Sequence, residues 1–318
     1  MTSMVGAAGP DSPGPRDSAA VQRPLGGQDD GGAGPVILRR GTVTSTQDEA
    51  ARQLTEGLVP PFALTARRQT AGRGRLGRAF ASPEGSSLSL TYVHRSGLPP
   101  AGRGWFPLAA GLAAVTALGE VLGLRATSEI GLKWPNDLHT VDGQKLGGIL
   151  VEGRGAQSVL VGIGLNLSGP VRQQDGTVVP GSAWLRGEGG LRPAGTADSA
   201  GMPEGPWAGL TEDELREQLE RSLVTALTEE LARLESTGGD GVRSGTHDRY
   251  TMTCLTLGRH VRVDPLGELD TGGERMSSWS GLARTVDGRG RLVIDREGHG
   301  RVAVDVGDVR HLRFGQSP

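Results

Sequence analysis

Two periods of apolar residues organise the chain. Leu108, Leu112, Val115, Leu118 and Leu122 recur at helical spacing, which predicts a helix over 105–123. A stronger amphipathic helix is predicted from Thr211 to Glu235. There Leu215, Leu219, Leu223, Leu227, Leu231 and Leu234 share one face, and Thr211 with Glu214 makes a capping box. A shorter helix starts after Thr44. Ser45 or Thr46 can cap it, with Asp48 or Glu49 three residues on, and it runs through Ala50 and Leu54 to stop at Gly57. Short apolar or alternating runs predict strands at Val36–Leu38, Pro61–Ala66, Ser87–Val93, Gly147–Glu152 and Ser158–Leu167.

The pattern changes after a glycine-rich break at 238–245. Thr251–Leu257, His260–Asp264, Leu282–Val286, Leu292–Asp295 and Val302–Val306 read as short strands, with turns at Asp287-Gly288 and Glu297-Gly298. Such a run predicts a small β-barrel, SH3-like in style. Residues 1–35 hold no apolar period and read as a disordered tail. Residues 168–210 are rich in Gly, Pro and Ala and read as a mobile insertion, with Trp184 docking locally. The expected architecture is α+β: a mixed domain over 36–245, then a small β domain over 250–316. The long helix and the exposed strands around 158–167, as an open sheet edge, would support self-association, but the sequence leaves monomer and dimer open.

Composition narrows the function classes. The chain has 318 residues, 34 basic against 36 acidic, for a formal charge of -2. This is no nucleic-acid polycation. No apolar stretch is long enough for a membrane span and no secretory signal is visible, so the expected location is the cytoplasm. A single cysteine, Cys254, excludes an internal disulfide and a cysteine-rich zinc site. The six histidines show no metal spacing, and His94 and His139 read as surface residues. Of the 34 basic residues, 32 are Arg; the two lysines are Lys133 and Lys145. A GC-rich codon bias explains the arginines. A lysine kept against that bias suggests a position where a compact ammonium is wanted.

Four segments carry candidate chemistry. Gln69 to Arg78 contains Gly-x-Gly-x-x-Gly at 72, 74 and 77, but no helix opens at its third glycine, since Pro83 and Gly85 follow. The dinucleotide fingerprint is therefore rejected. Glycines that admit backbone N–H groups, interleaved with Arg73, Arg75 and Arg78, fit an anion clamp better than a solvated loop. Lys133-Trp134-Pro135-Asn136-Asp137 presents an ammonium, an amide and a carboxylate from one turn. That trio suits a nucleotide site, with the carboxylate for water or Mg²⁺, but it equally suits a tight turn. In Gln144 to Glu152, Lys145 stands at the mouth of a strand beside Gly147 and Gly148. Gly162-Ile163-Gly164-Leu165-Asn166 is a strand whose glycines mark close approach of a ligand. No P-loop and no Ser/His or Cys/His pair is apparent.

In this order, these segments resemble the biotin–protein ligases. The resemblance is strong over 36–167 and extends in style to the C-terminal β domain. It implies a catalytic fold similar to class II aminoacyl-tRNA synthetases and lipoate ligases. It also implies an ATP-dependent enzyme that uses Mg²⁺, activates biotin as biotinyl-5′-AMP and transfers it to a lysine of the biotin carboxyl carrier protein of an acyl-CoA carboxylase. By this resemblance Ser45, Thr46, Gln47, Gln69 and Gly148 would hold biotin. Arg73, Gly74 and Arg75 would form the loop over the adenylate, and Lys145 would reach the biotin carboxyl. Lys133 and Arg75 would be catalytic, Lys133 at the α-phosphate. Arg75, Arg78, Trp134, Asn136 and Asn166 would contact the nucleotide. Gln47 departs from the family, where Asn is common. The short tail leads to an expectation of no DNA-binding repressor role. Arg73 and Arg75 argue against the nearest alternative, a lipoate ligase. The same two residues with Lys133 and Asn136 argue against a non-catalytic biotin binder.

Overall fold

The computed structural model describes residues 34–77, 80, 84–173, 175–192, 207, 209–264, 277–305 and 308–311. The tail at 1–33, Arg78 and most of the second part of the expected insertion lie outside the described residues. From Pro35 onward the chain is one compact unit.

Seven strands make one sheet: β1 (Val36–Val43), β2 (Phe62–Gln69), β3 (Ser87–Arg95), β4 (Ile130–Lys133), β5 (Asp137–Thr140), β6 (Lys145–Arg154) and β7 (Ser158–Asn166). Their order is β1-β2-β3-β7-β6-β5-β4. β1 and β2 are parallel and joined through helix α1 (Thr46–Thr55); the other neighbours are antiparallel. Ser45 caps α1, its Oγ accepting the Gln47 N–H at 3.2 Å. The expected open edge at 158–167 is corrected here. That segment is β7, paired on both sides by β3 and β6, which suits its nearly continuous apolar face.

One face of the sheet carries helix α2 (Phe106–Leu122), and α2 in turn packs against helix α3 (Glu212–Ser236). The sequence pattern marks one apolar stripe on α2. In fact Ala109, Ala110, Ala113, Ala114 and Ala117 are buried as well, because the helix is enclosed on both sides. All six predicted leucines of α3 are buried, each contributing roughly 2 kcal/mol. The predicted capping box of Thr211 and Glu214 is present.

The opposite face explains where the site lies. Cross-strand registers place Val93 beside Leu160, Thr91 beside Gly162, and Ser89 beside Gly164. Along this face β7 falls from Leu160 to Gly162 and Gly164, while its other face keeps Val159, Val161, Ile163 and Leu165. At the bulky end, Phe62, Leu64, Val93 and Leu160 pack with Ala50 of α1. At the small end no side chain rises from β7 at Gly162 and Gly164, and a hollow results, lined in part by Phe80.

A second sheet follows, formed by β8 (His260–Asp264), β9 (Trp279–Val286), β10 (Leu292–Arg296), β11 (Gly300–Val304) and β12 (Asp308–His311). It is antiparallel, in the order β11-β10-β9-β8-β12. The expected strand at Thr251–Leu257 is instead helix α4 (Thr246–Thr253) followed by an irregular segment. The reason is spacing: Thr246 and Tyr250, four apart, are both fully buried, Tyr250 edge-on to Trp105. Two indoles tie the sheets together. Trp105 Nε1 donates to Gly288 O at 2.9 Å and Trp134 Nε1 to Gly290 O at 3.0 Å.

Of the expected insertion, residues 168–173, 175–192, 207, 209 and 210 are described. Ser182 bridges to Lys145, and Lys145 N–H donates to Gly181 O at 2.7 Å. Leu185 is fully buried, and Trp184 stacks against Gly169 while donating to Glu188 O. This part is anchored to β6 and is a wall of the site. Neither His94 nor His139 is a surface residue, with side chains 12% and 11% exposed. Among the described residues no helix is long and apolar enough to cross a membrane.

Candidate active site

The hollow is a cavity of about 340 Å³ whose floor is a row of small residues across the sheet. Registers set Ser89, Gly164, Gly148 and Asp137 side by side on β3, β7, β6 and β5. On β7 a side chain at Gly162 or Gly164 would crowd its neighbours. A Cβ at Gly164 would stand 2.5 Å from the Phe80 ring, and one at Gly162 would stand 2.8 Å from Gln47 Nε2. The sequence glycines thus mark close approach, and Phe80 is what lies over Gly164.

One end of the cavity is a polar lattice at the start of α1. Gln69 Oε1 accepts from Thr46 N–H at 2.8 Å and from Thr46 Oγ1 at 3.1 Å, and its Nε2 donates to Ser89 Oγ at 3.1 Å. Thr91 Oγ1 donates to Thr46 Oγ1 at 2.9 Å. Gln47 Nε2 donates to Leu150 O at 2.8 Å, while Gln47 Oε1 is buried without a protein partner. A buried acceptor left unmet costs about 1–3 kcal/mol, so a donor from a bound molecule would be stabilising there. Ser45, Thr46, Gln47 and Gln69, predicted apart in the sequence, therefore meet in one place.

The glycine–arginine loop closes over this end. Phe80 N–H donates to Gly72 O at 2.8 Å, which folds the loop back and brings Phe80 onto the floor. Arg75 Nη1 donates to Asn136 Oδ1 at 2.9 Å, and Asn136 Nδ2 donates to Ile149 O at 2.9 Å. The loop is thereby joined to the β4–β5 turn. Arg73 reaches outward to Asp48 at 2.8 Å and Glu152 at 3.1 Å. These carboxylates hold it beside the cavity it lines.

The Lys133–Asp137 segment is the turn of the β4–β5 hairpin, as the tight-turn reading expects. Lys133 lines the cavity. Trp134 is among the lining residues, and its buried indole is held by the bond to Gly290 O of the β9–β10 turn. Asp137 Oδ1 accepts from Lys145 Nζ at 2.7 Å, and Oδ2 lies 3.8 Å from His139 Nε2. Burial acts to raise the Asp137 carboxyl; His139 and the Lys145 ammonium outweigh it and hold it at about 2. Asp137 is the one carboxylate among the described lining residues. Asn166, expected at the nucleotide, uses its Nδ2 to hold Lys145 O at 3.2 Å and Ala183 O at 2.8 Å.

Sequence reasoning missed Phe80, Ser89, Thr91 and the Asp137–Lys145 pair. The alternation Leu88-Ser89-Leu90-Thr91 is a visible signal for the polar face of β3. Nothing in the sequence marks Phe80, whose place depends on the loop closing.

Known proteins share both the sequence and the fold. The family model described as "Biotin/lipoate A/B protein ligase family" matches residues 41–167. The biotin–[acetyl-CoA-carboxylase] ligase of Mycobacterium tuberculosis is 30% identical over 279 residues, 87% of this chain and 88% of that protein. The ligase of the same name from Paracoccus denitrificans is 37% identical over 145 residues, 44% of this chain and 57% of its own length. The biotin protein ligase of Aquifex aeolicus, solved with biotin and ATP, superposes with a TM-score of 0.57 at 23% identity, covering 87% of this chain and 98% of its own. With matching motifs, a full-length relative and a shared fold, the chain belongs to the biotin–protein ligase family.

Proposed function

We propose that the cavity makes biotinyl-5′-AMP from biotin and ATP, and that the protein transfers the biotinyl group to a lysine of a biotin carboxyl carrier protein of an acyl-CoA carboxylase. The observation that carries this reading is a cavity floored by small residues, bordered at one end by the Thr46–Gln69 lattice and lined toward the other by Arg75, Lys133 and Lys145. A flat, uncharged ring system fits the floor and its hydrogen-bonding end. An anionic tail and a phosphoryl group fit the cations.

In the first step a carboxylate oxygen bonds to the α-phosphorus and pyrophosphate leaves. Two anions must approach, so positioned cations are the main requirement. Lys133 and Arg75 are assigned to the α-phosphate and Lys145 to the carboxylate. In the second step the carrier amine attacks the acyl carbon and AMP leaves. The closed loop, with Phe80 over Gly164, keeps water from the anhydride. Gln47 Oε1 is assigned to a ring N–H of the ligand. Asn166 positions the 181–183 wall, and Trp134 fixes the turn that carries Lys133.

The residues do not offer Mg²⁺ a protein site. Among the described residues there is no group of three metal-ligating side chains, and Asp137 is committed to Lys145. Mg²⁺ is assigned to the phosphoryl oxygens of the nucleotide. Residues 36–245 are taken as the catalytic part, and 250–316 as the part that recognises the carrier. We assign no DNA-binding repressor role. The near-balanced charge supports this, as does the name of the M. tuberculosis relative, a ligase alone. Sequence-specific retention of DNA in a gel shift would refute it. These substrates make the cytoplasm the proposed location. Biotin-dependent ATP–pyrophosphate exchange tests the main reading, with lipoate as control. Exchange driven by lipoate, or by neither acid, sinks it.

A further inference from the structure

At the Thr46–Gln69 end of the cavity each hydrogen bond has a fixed direction, and one backbone group sets it. The Thr46 N–H can only donate, and it lies 2.8 Å from Gln69 Oε1. A reversed amide would set an NH₂ group against that N–H. The oxygen of Gln69 must therefore face Thr46, and its nitrogen must face β3. The Thr46 hydroxyl, 3.1 Å from the same oxygen, uses its single proton there. Thr91, fully buried, must then be the donor in its 2.9 Å bond to Thr46 Oγ1. On the other side Gln69 Nε2 donates to Ser89 Oγ at 3.1 Å, so Ser89 accepts, and its own proton is not used in that bond.

That proton faces a lined cavity. Ser89 is buried, borders the cavity, and has Gln69 as the one hydrogen-bond partner of its hydroxyl among the described residues. Its neighbour on β7 is Gly164, so no side chain from that strand stands beside it. Gln47 is fixed in the opposite sense. Its Nε2 donates to Leu150 O at 2.8 Å, which leaves Oε1 as a buried acceptor. β3 thus offers a hydroxyl donor, and the start of α1 offers an acceptor.

A buried donor left unmet is costly, so a ligand that supplies an acceptor is favoured. The cyclic urea of biotin carries one carbonyl oxygen between two N–H groups. We propose that Ser89 donates its hydroxyl proton to that carbonyl oxygen and sets a preference for an oxygen acceptor at this position of the ring. Thr91 is a positioning residue: it holds the Thr46 hydroxyl toward Gln69 and does not touch the ligand. The other lone pair of the carbonyl is left to Ser45, whose Oγ accepts the Gln47 N–H and likewise keeps its proton. This rests on the biotin reading above and adds a specificity residue to it from β3, outside the four segments marked by the sequence.

Calorimetric titration of the full chain compares biotin with its thiocarbonyl analogue, in which sulfur, a weak acceptor, replaces the urea oxygen. The wild type is expected to bind biotin about tenfold tighter. Ser89→Ala should weaken biotin about fivefold to tenfold and the analogue less than about twofold, so the preference collapses. Ser89→Cys, a weaker donor of similar size, should fall between. Thr91→Val keeps the shape and removes a bond from the same lattice; it should move both ligands by one factor and keep the preference. The ATP KM in pyrophosphate exchange should stay within about twofold in every variant. Equal weakening of both ligands by Ser89→Ala, biotin binding unchanged in it, or a preference lost as fully in Thr91→Val overturns the proposal. A preference that depends on Ser89 without biotin-dependent exchange would instead sink the adenylating reading and leave the Ser89 contact standing.

Discussion

Replacing Asp137 by Asn tests the electrostatics of the cavity without any ligand. The carboxyl sits at about 2 against an ordinary 3.8, because His139 and Lys145 outweigh the burial that would raise it. A depressed carboxylate pKa stabilises the folded state above the unfolded value, and that stability is lost as pH falls through the folded one. At about 1.4 kcal/mol per unit, the gap between 3.8 and about 2 is worth roughly 2–3 kcal/mol at pH 7. The same linkage leaves roughly half of this at pH 3 and little at pH 2. Asp137→Asn should therefore be less stable than the wild type by roughly 2–3 kcal/mol at pH 7, and the difference should halve by about pH 3. Urea unfolding of both proteins from pH 7 down to pH 3 measures it. A difference that stays constant with pH, or widens on acidification, refutes the argument. The variant would then lose stability through packing and not through charge.

Three further outcomes follow from the site. Lys133→Arg keeps the charge and changes its shape; ATP–pyrophosphate exchange should fall on the order of a hundredfold, with thermal stability unchanged. Gly147→Ala would set a Cβ 2.5 Å from Gly164 O in a central strand pair, where no flexible group can yield; the denaturant midpoint should report a loss of about 2–3 kcal/mol. Leaked biotinyl-AMP labels lysine amines, and this chain has two, both lining the cavity. Mass spectrometry after incubation with biotin and ATP alone should find little self-biotinylation; heavy labelling of Lys133 or Lys145 with activity intact would contradict their assigned roles.

What could be read from sequence was set by length and by locality. α3 declares itself because six leucines repeat over 25 residues and its cap is local. β4 and β5 do not, since each has four residues and Pro135 between them suggests only a turn. α4 was hidden because Thr-Met-Thr-Cys-Leu alternates like a strand, while the burial of Tyr250 against Trp105 comes from a helix far away in sequence. The site shows the same division. The loop arginines, both lysines and the glycines are legible as types at spacings. Their roles depend on register. Ser89, Gly164, Gly148 and Asp137 become one floor only once four strands are paired, and Asn166 acts on a wall that its own sequence neighbourhood presents as an insertion.

Register also accounts for Lys145 in a chain whose other cations, Lys133 excepted, are arginine. Its Nζ lies 3.5 Å from where a Cβ of Gly148 would stand, with Asp137 Oδ1 2.7 Å away. The ammonium thus rests over a glycine in the floor and makes one short contact to a carboxylate at the floor's edge. A guanidinium on the same strand is planar, broader and built for two parallel bonds. It would overhang Gly148 more widely and narrow the cavity there. The codon bias supplies arginine wherever a cation need only be charged. At Lys145 the cation must also be narrow, and that requirement comes from the glycine beside it.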